Sequence, residues 1–190
     1  MAEQPPLPDN VTPAQFFEEL LPMGFAAQAQ SGQAAPPDFT MLYHVTGEGG
    51  GDWLLNISGG KMSASKGSGE ANLTVTVSVD DWRDAVLARN GAALSLILPQ
   101  RREGRPDNSA RARGLKGTMA LDLAREGCDP FQVEMCFNNA AAPRTKLRMT
   151  LNDYIDMQSG KLNGQQAFMA GKIKVEGDMG FLMQIASLNM

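Results

Sequence analysis

Apolar side chains recur at every second position in several stretches of this 190-residue chain, as in strands with one wet face. Leu73, Val75, Val77 and Val79 alternate with mostly threonine and serine. Residues 39–60 predict a hairpin: an apolar run, a Gly-rich connection, and a second run placing Trp53, Leu55 and Ile57 on one face. Ile173 and Val175 alternate with Lys172, Lys174 and Glu176 between Gly171 and Gly177. Elsewhere the period becomes helical. Phe16, Phe17, Leu20 and Leu21 share one side of a short helix, with Thr12 as N-cap, Pro13 at the first turn and Gln15 completing a capping box. Pro22 is expected to interrupt that helix. A helix over 80–90 is expected to be capped by Asp80 or Asp81 and ended by Gly91. Tyr154, Ile155 and Met157 open another that Gly160 ends, and a short turn then carries Phe168 and Met169.

The final helix is unlike the others. After Asp178, a candidate cap, it holds Met179, Phe181, Leu182, Met183, Ile185, Ala186 and Leu188, with few polar members. A surface helix needs an apolar stripe only a little over ~100° wide, and this arc is wider. Such a helix is either enclosed by protein or faces a compartment that something else fills. A helix at a chain's end seldom has protein on every side, which favours the second reading.

The pattern also repeats. Residues from Thr40 can be laid on residues from Thr118, with Thr, Met, Glu and Gly recurring and Phe131 falling where Trp53 was. VTVSVDDWRD from Val75 then matches LRMTLNDYID from Leu147, Trp82 opposite Tyr154 and Asp84 opposite Asp156. This predicts a degenerate duplication of strand–strand–strand–helix. Four segments follow: a disordered, Pro-rich 1–11, a first unit over 12–98, a linker over 99–116, and a second unit over 117–190. The linker is basic, with five arginines and one lysine and no apolar period.

Composition narrows the chemistry. A net charge of −4 argues against a nucleic-acid binder. No apolar run approaches the ~18 residues of a membrane span. The first residues lack a basic and then apolar leader, so a cytoplasmic setting is expected. Eight of the twelve methionines follow residue 115, and methionine suits surfaces that adapt to variable apolar shapes. The single histidine, His44, lies in a strand with no nucleophile motif beside it. Cys128, expected in a loop, and Cys136, in a strand, have no metal-motif spacing. The acidic groups DDWRD and NDYID recur at strand-to-helix junctions, where capping accounts for both, and GEGGG reads as a turn. No catalytic group, metal or cofactor is expected.

LNGQQAFMAGKIKVEGDMGFLMQI, residues 162–185, resembles the C-terminal signature of the sterol carrier protein type-2 family. Gln165, Ala167, Phe168, Gly171, Lys172, Ile173, Lys174, Val175, Gly177, Asp178, Met179 and Gly180 carry the match. The resemblance covers the chain well from about Thr118 and more loosely over 12–97. It implies an α+β fold with a twisted, mostly antiparallel sheet covered by helices, here in two related sheet units. It also implies a hydrophobic tunnel for a fatty acyl chain, sterol or similar lipid. Carried over position by position, the ligand wall would comprise Gln165, Phe168, Met169, Met179, Phe181, Leu182 and Met183, with Ile155 and Met157 from the preceding helix. The basic 101–116 segment is a candidate for transient contact with anionic membrane surfaces. The competing expectation is a non-catalytic interaction module, or an accessory part of a lipid-processing enzyme, that kept the fold.

Overall fold

The computed structural model describes residues 10–29, 37–87 and 113–188. Residues 1–9 of the N-terminal segment, Gly91 and all but the last four residues of the basic segment lie outside the described residues.

One mixed sheet of eight strands forms the frame, in the order β3-β2-β1-β4-β6-β5-β7-β8. The strands are β1 Phe39–Thr46, β2 Gly51–Ser58, β3 Lys61–Lys66, β4 Leu73–Ser78, β5 Gly117–Arg125, β6 Cys128–Phe137, β7 Arg144–Thr150 and β8 Lys174–Gly177. Five of the seven pairings are antiparallel, while β1–β4 and β5–β7 are parallel. The fold is α+β, as the resemblance implies.

The same arrangement occurs twice. In β2-β1-β4 and in β6-β5-β7 the first two strands in the chain form a hairpin. The third lies parallel to the first and leads into a helix: α3, Val79–Val86, or α4, Leu151–Gln158. The parallel registers also coincide. Tyr43 pairs Val75 as Leu121 pairs Leu147, the positions matched by aligning the two sequences. The halves meet where β4 pairs β6, so a single sheet runs through both.

Alternation along the strands gives the sheet one dry face. Met41, Tyr43, Val45, Trp53, Leu55, Val75, Val77, Leu121, Leu123, Phe131 and Val133 are buried on it. The opposite face carries polar pairs, including Lys146 with Asp122 at 2.9 Å and Arg148 with Glu176 at 2.8 Å. Helices cover the dry face. The first stretch runs through α1, Pro13–Gln15, a π-helical turn, Phe16–Leu20, and α2, Leu21–Ala29. Thr12 caps it through the expected box with Gln15. Pro22 does not interrupt it. A proline ring ordinarily meets the carbonyl four residues back, and the wider turn just before it, where Leu21 N–H reaches Phe16 O, loosens that register.

Three further expectations are corrected. The N-cap of α3 is Ser78, not Asp80 or Asp81, and Thr150 does the same for α4. Their hydroxyl oxygens accept from the N–H of Asp81 and Asp153 at 3.0 Å each. Val79 accordingly begins α3 and does not extend β4. Cys128 opens β6 as an exposed strand residue. The sequence reading also missed β3, because KMSASK presents only Met62 and Ala64 as partly buried hydrophobics against the core.

The recurring acidic residues instead hold cations. Arg125 reaches Asp81 and Asp84, each at 2.9 Å, and Asp81 also accepts from Gln132 N–H at 3.1 Å. This part-buried cluster ties the helix of the first half to the strands of the second. Asp153, at the position matching Asp81, pairs with Lys172 at 2.7 Å.

Candidate functional site

The last 38 described residues, 151–188, build a helical cap over the β7–β8 end of the sheet. After α4, the chain turns at Gly160 and enters α5, Gly164–Met169, capped by Asn163, whose side chain accepts from Gln165 and Gln166 N–H at 2.9 and 3.2 Å. It then forms the edge strand β8. Gly177 (φ +97°) redirects it into α6, Met179–Leu188. Asp178 caps that helix as expected, its carboxylate accepting from Phe181 N–H at 2.7 Å.

Phe181 and Ile185, one turn apart, are the inward residues of α6 and join the core. Phe181 is only 1% exposed, packs edge-on against Phe137, and lies where Gly117 has no side chain, so a Cβ there would sit 2.7 Å from its ring. Burying such a ring contributes about 1.5–3 kcal/mol. Phe181 therefore anchors the helix.

The remaining expected wall residues form two groups. Ile155 and Met157 are half-buried against the core, and Leu182 is half-buried on α6. Gln165 is exposed, as are Phe168 at 48%, Met169 at 80%, Met179 at 46% and Met183 at 63%. The structure thus places the nine residues on three consecutive helices. It sets Phe181 inside, three residues half-buried, and five in the open. Four of the five exposed large hydrophobic side chains among the described residues belong to this cap; the fifth, Met23, is on α2.

Two polar clefts lie elsewhere. One, of about 470 Å3, is bounded by Thr46, Glu48, Ser78, Asp80 and Arg83 beside the start of α3. The other is bounded by Thr40, Glu70, Asn72 and Asn138. Neither has the apolar lining expected of a lipid site. Among the described residues no group of three or more His, Cys, Asp or Glu side chains could hold a metal ion, and no helix is long and apolar enough to cross a membrane. His44 pairs with Asp52 on the polar face of the sheet.

The ion pair between Asp153 and Lys172 fastens the start of α4 to the chain between α5 and β8. The Lys172 ammonium, then the Thr150 hydroxyl at 2.8 Å, hold the Asp153 carboxyl below the usual carboxylate range, and Asp153 raises Lys172 in turn. Nothing in the 19-residue separation of the two marks them as partners, and the sequence reading missed them as a pair. A depressed carboxylate pKa adds stability that is fully present above the ordinary carboxylate value and lost as pH falls through the folded one. A raised lysine pKa adds stability that is lost only as pH rises through its folded value, on the alkaline side. Asp153→Asn is therefore expected to be less stable than wild type near neutral pH, and the gap should close in acid below the ordinary carboxylate range. Thermal unfolding across pH checks this, and a gap that persists at low pH would remove the pair as its cause. Both groups touch solvent, so the difference is modest.

Residues 98–189 match the model of the SCP-2 sterol transfer family. Over 46 residues, 24% of its length, the chain is 37% identical to peroxisomal multifunctional enzyme A of Dictyostelium discoideum, and it spans a tenth of that relative. Among solved structures, it is similar over 92% of its length to 80% of the sterol carrier protein domain 2 of Helicoverpa armigera, at 18% identity and a TM-score of 0.24. It is similar over 94% of its length to 16% of the stereoselective inverting sec-alkylsulfatase Pisa1 from Pseudomonas sp., at 15% identity and a TM-score of 0.27.

Proposed function

We propose, on the premise that residues 98–189 belong to the SCP-2 sterol transfer family, that this chain binds a fatty acyl chain, sterol or similar apolar lipid under its C-terminal helices and carries it. The observation that supports this reading is the concentration of accessible methionine and phenylalanine on α5 and α6, beside the half-buried Ile155, Met157 and Leu182. Methionine side chains bend at low cost and accommodate guests of different shape. In this reading Ile155, Met157 and Leu182 contact the inner end of the guest. Phe168, Met169, Met179 and Met183 close over it, Gln165 offers a polar contact to a headgroup, and Phe181 holds α6 in place.

The energetics suit a carrier. A guest burying ~14 methylenes gains about 11 kcal/mol at ~0.8 each, against an association cost of about 4–15 kcal/mol. The surplus is modest and permits exchange.

The test is uptake of a fluorescent fatty acid in aqueous solution, with mass spectrometry of solvent extracts of the purified protein. Met183→Arg is expected to weaken the probe about tenfold or more without changing thermal stability, because Met183 is exposed. Wild-type affinity in that folded variant would remove Met183 from the site, and no saturable uptake by wild type would remove the carrier function. Phe181→Arg is a poor test, since it would break the core first. The match to a multifunctional enzyme favours a second reading, in which the chain is an accessory module presenting lipid to a catalytic partner. Co-purified lipid that is turned over only when such a partner is added would separate the two.

A further inference from the structure

The duplication puts unlike side chains at one position of the two halves. Ile155 on α4 packs against the core, and the residue matched to it on α3 is Arg83. Arg83 lines the polar cleft of about 470 Å3 together with Thr46, Glu48, Ser78 and Asp80. The cleft opens where β1 and β4 end side by side in parallel. From there β1 continues into β2 and β4 into α3, and connections that diverge from neighbouring parallel strand ends leave a crevice. The charges around it are unpaired. Arg125, Arg144 and Arg148 each pair with an acid. Arg83, Glu48 and Asp80 form no ion pair and no side-chain hydrogen bond among the described residues. Yet Asp80 and Arg83 stand three apart on one helix, a spacing that brings opposite charges together. Arg83 is half-buried, and its Nε–H is shut off from solvent with no acceptor. Leaving a buried donor unmade is costly, and folded proteins meet such a donor with water or a ligand.

We propose that this cleft is a second binding site, for a small molecule carrying both an oxyanion and an ammonium group. The oxyanion meets Arg83, and the ammonium group meets the exposed carboxylates of Glu48 and Asp80. The signs of the charges decide the class. A simple anion would face two carboxylates, and a simple cation would face an unpaired guanidinium. A molecule with both charges satisfies all three groups at once. Hydrogen bonds from a guanidinium to an oxyanion are charge-assisted and strong. Ser78 Oγ accepts from Asp81 N–H and keeps its own hydrogen to donate into the cleft. The volume lies within the ~300–1,000 Å3 of small-molecule sites. The site shares no residue with the C-terminal helices, so it stands or falls apart from the lipid-carrying reading.

The experiment is titration calorimetry of the full chain at low salt with O-phosphoethanolamine and with β-alanine, and with inorganic phosphate and ethanolamine as single-charge controls. At least one of the doubly charged probes should bind saturably, about tenfold or more tighter than either control. Its binding should shift the amide resonances of residues 46–48 and 78–83. Arg83→Gln should weaken it about tenfold or more with thermal unfolding unchanged. Glu48→Gln with Asp80→Asn should weaken it as well and strengthen inorganic phosphate, because the carboxylates that repel an anion are gone. Both of those acids are exposed, so that variant decides the matter even if Arg83→Gln fails to fold. No saturable binding by either doubly charged probe would overturn the proposal, as would wild-type affinity in the Glu48 and Asp80 variant. Inorganic phosphate binding as tightly as the doubly charged probes, or resonance shifts confined to other residues, would overturn it too.

Discussion

Phe17→Ala is expected to lower the free energy of unfolding by about 3–5 kcal/mol, the range for deleting a fully buried aromatic ring. Phe17 is wholly buried, with its ring 4.7 Å from Tyr43, 5.2 Å from Trp53 and 6.2 Å from Trp82. It projects from the π-helical turn whose Glu18 also accepts from Trp53 Nε1 at 2.9 Å. The ring joins the first helices to the dry face of β1 and β2 and to α3 at once. Surrounding rings can collapse only partly into the space it would leave. Both tryptophans of the chain lie beside it, so urea unfolding followed by their fluorescence reads the site directly. Met23→Ala, on the exposed side of α2, should change stability by less than about 0.5 kcal/mol. A loss under about 1 kcal/mol in Phe17→Ala would mean that the first helix does not carry the packing described for it.

The second large effect is expected at Gly177. Its φ of +97° disfavours any side chain, and a Cβ would stand 2.2 Å from the carbonyl oxygen of Arg144, which also accepts from Asp178 N–H at 2.9 Å. The obstacle is backbone in a paired strand, so relief requires β8 to move off β7. Strain of about 1–3 kcal/mol and overpacking of similar size together predict a loss of about 3 kcal/mol in Gly177→Ala. Hydrogen exchange should speed up in β8 and α6 before it does in the central strands. Gly171→Ala separates the two causes, because φ is +72° there but nothing lies within 4 Å of the added carbon. It should cost only the conformational part, about 1 kcal/mol. Equal losses at the two positions would show that the close approach to Arg144 contributes nothing.

The two halves were readable because each rests on local rules. Period-two alternation gave the dry face of β4 directly, and the hairpin from Phe39 to Ser58 follows from a Gly-rich connection between two apolar runs. The Thr12–Gln15 box marked the first helix. Sequence failed where a tertiary partner changed the meaning of a local signal. Asp81 and Asp153 look like caps because carboxylates suit helix starts, yet hydroxyls one turn earlier do the capping, and Arg125 and Lys172 engage the acids. Pro22 looks like a stop because an ordinary helical register has no room for its ring, and a π-helical turn removes that limit.

The candidate site divides in the same way. That residues 179–188 form a helix too apolar for an ordinary surface was settled by the order of side chains alone, since side-chain identity and the 3.6-residue period set how wide an apolar arc must be. Which part of that arc meets protein was decided by the sheet. Phe181 goes inward because Gly117 leaves room beside Phe137, and Ile185 follows one turn on, while Met179 and Met183, one turn apart on another side, stay in the open. Burial depends on what lies opposite a side chain, and the residues opposite α6 come from strands more than 30 positions earlier in the chain.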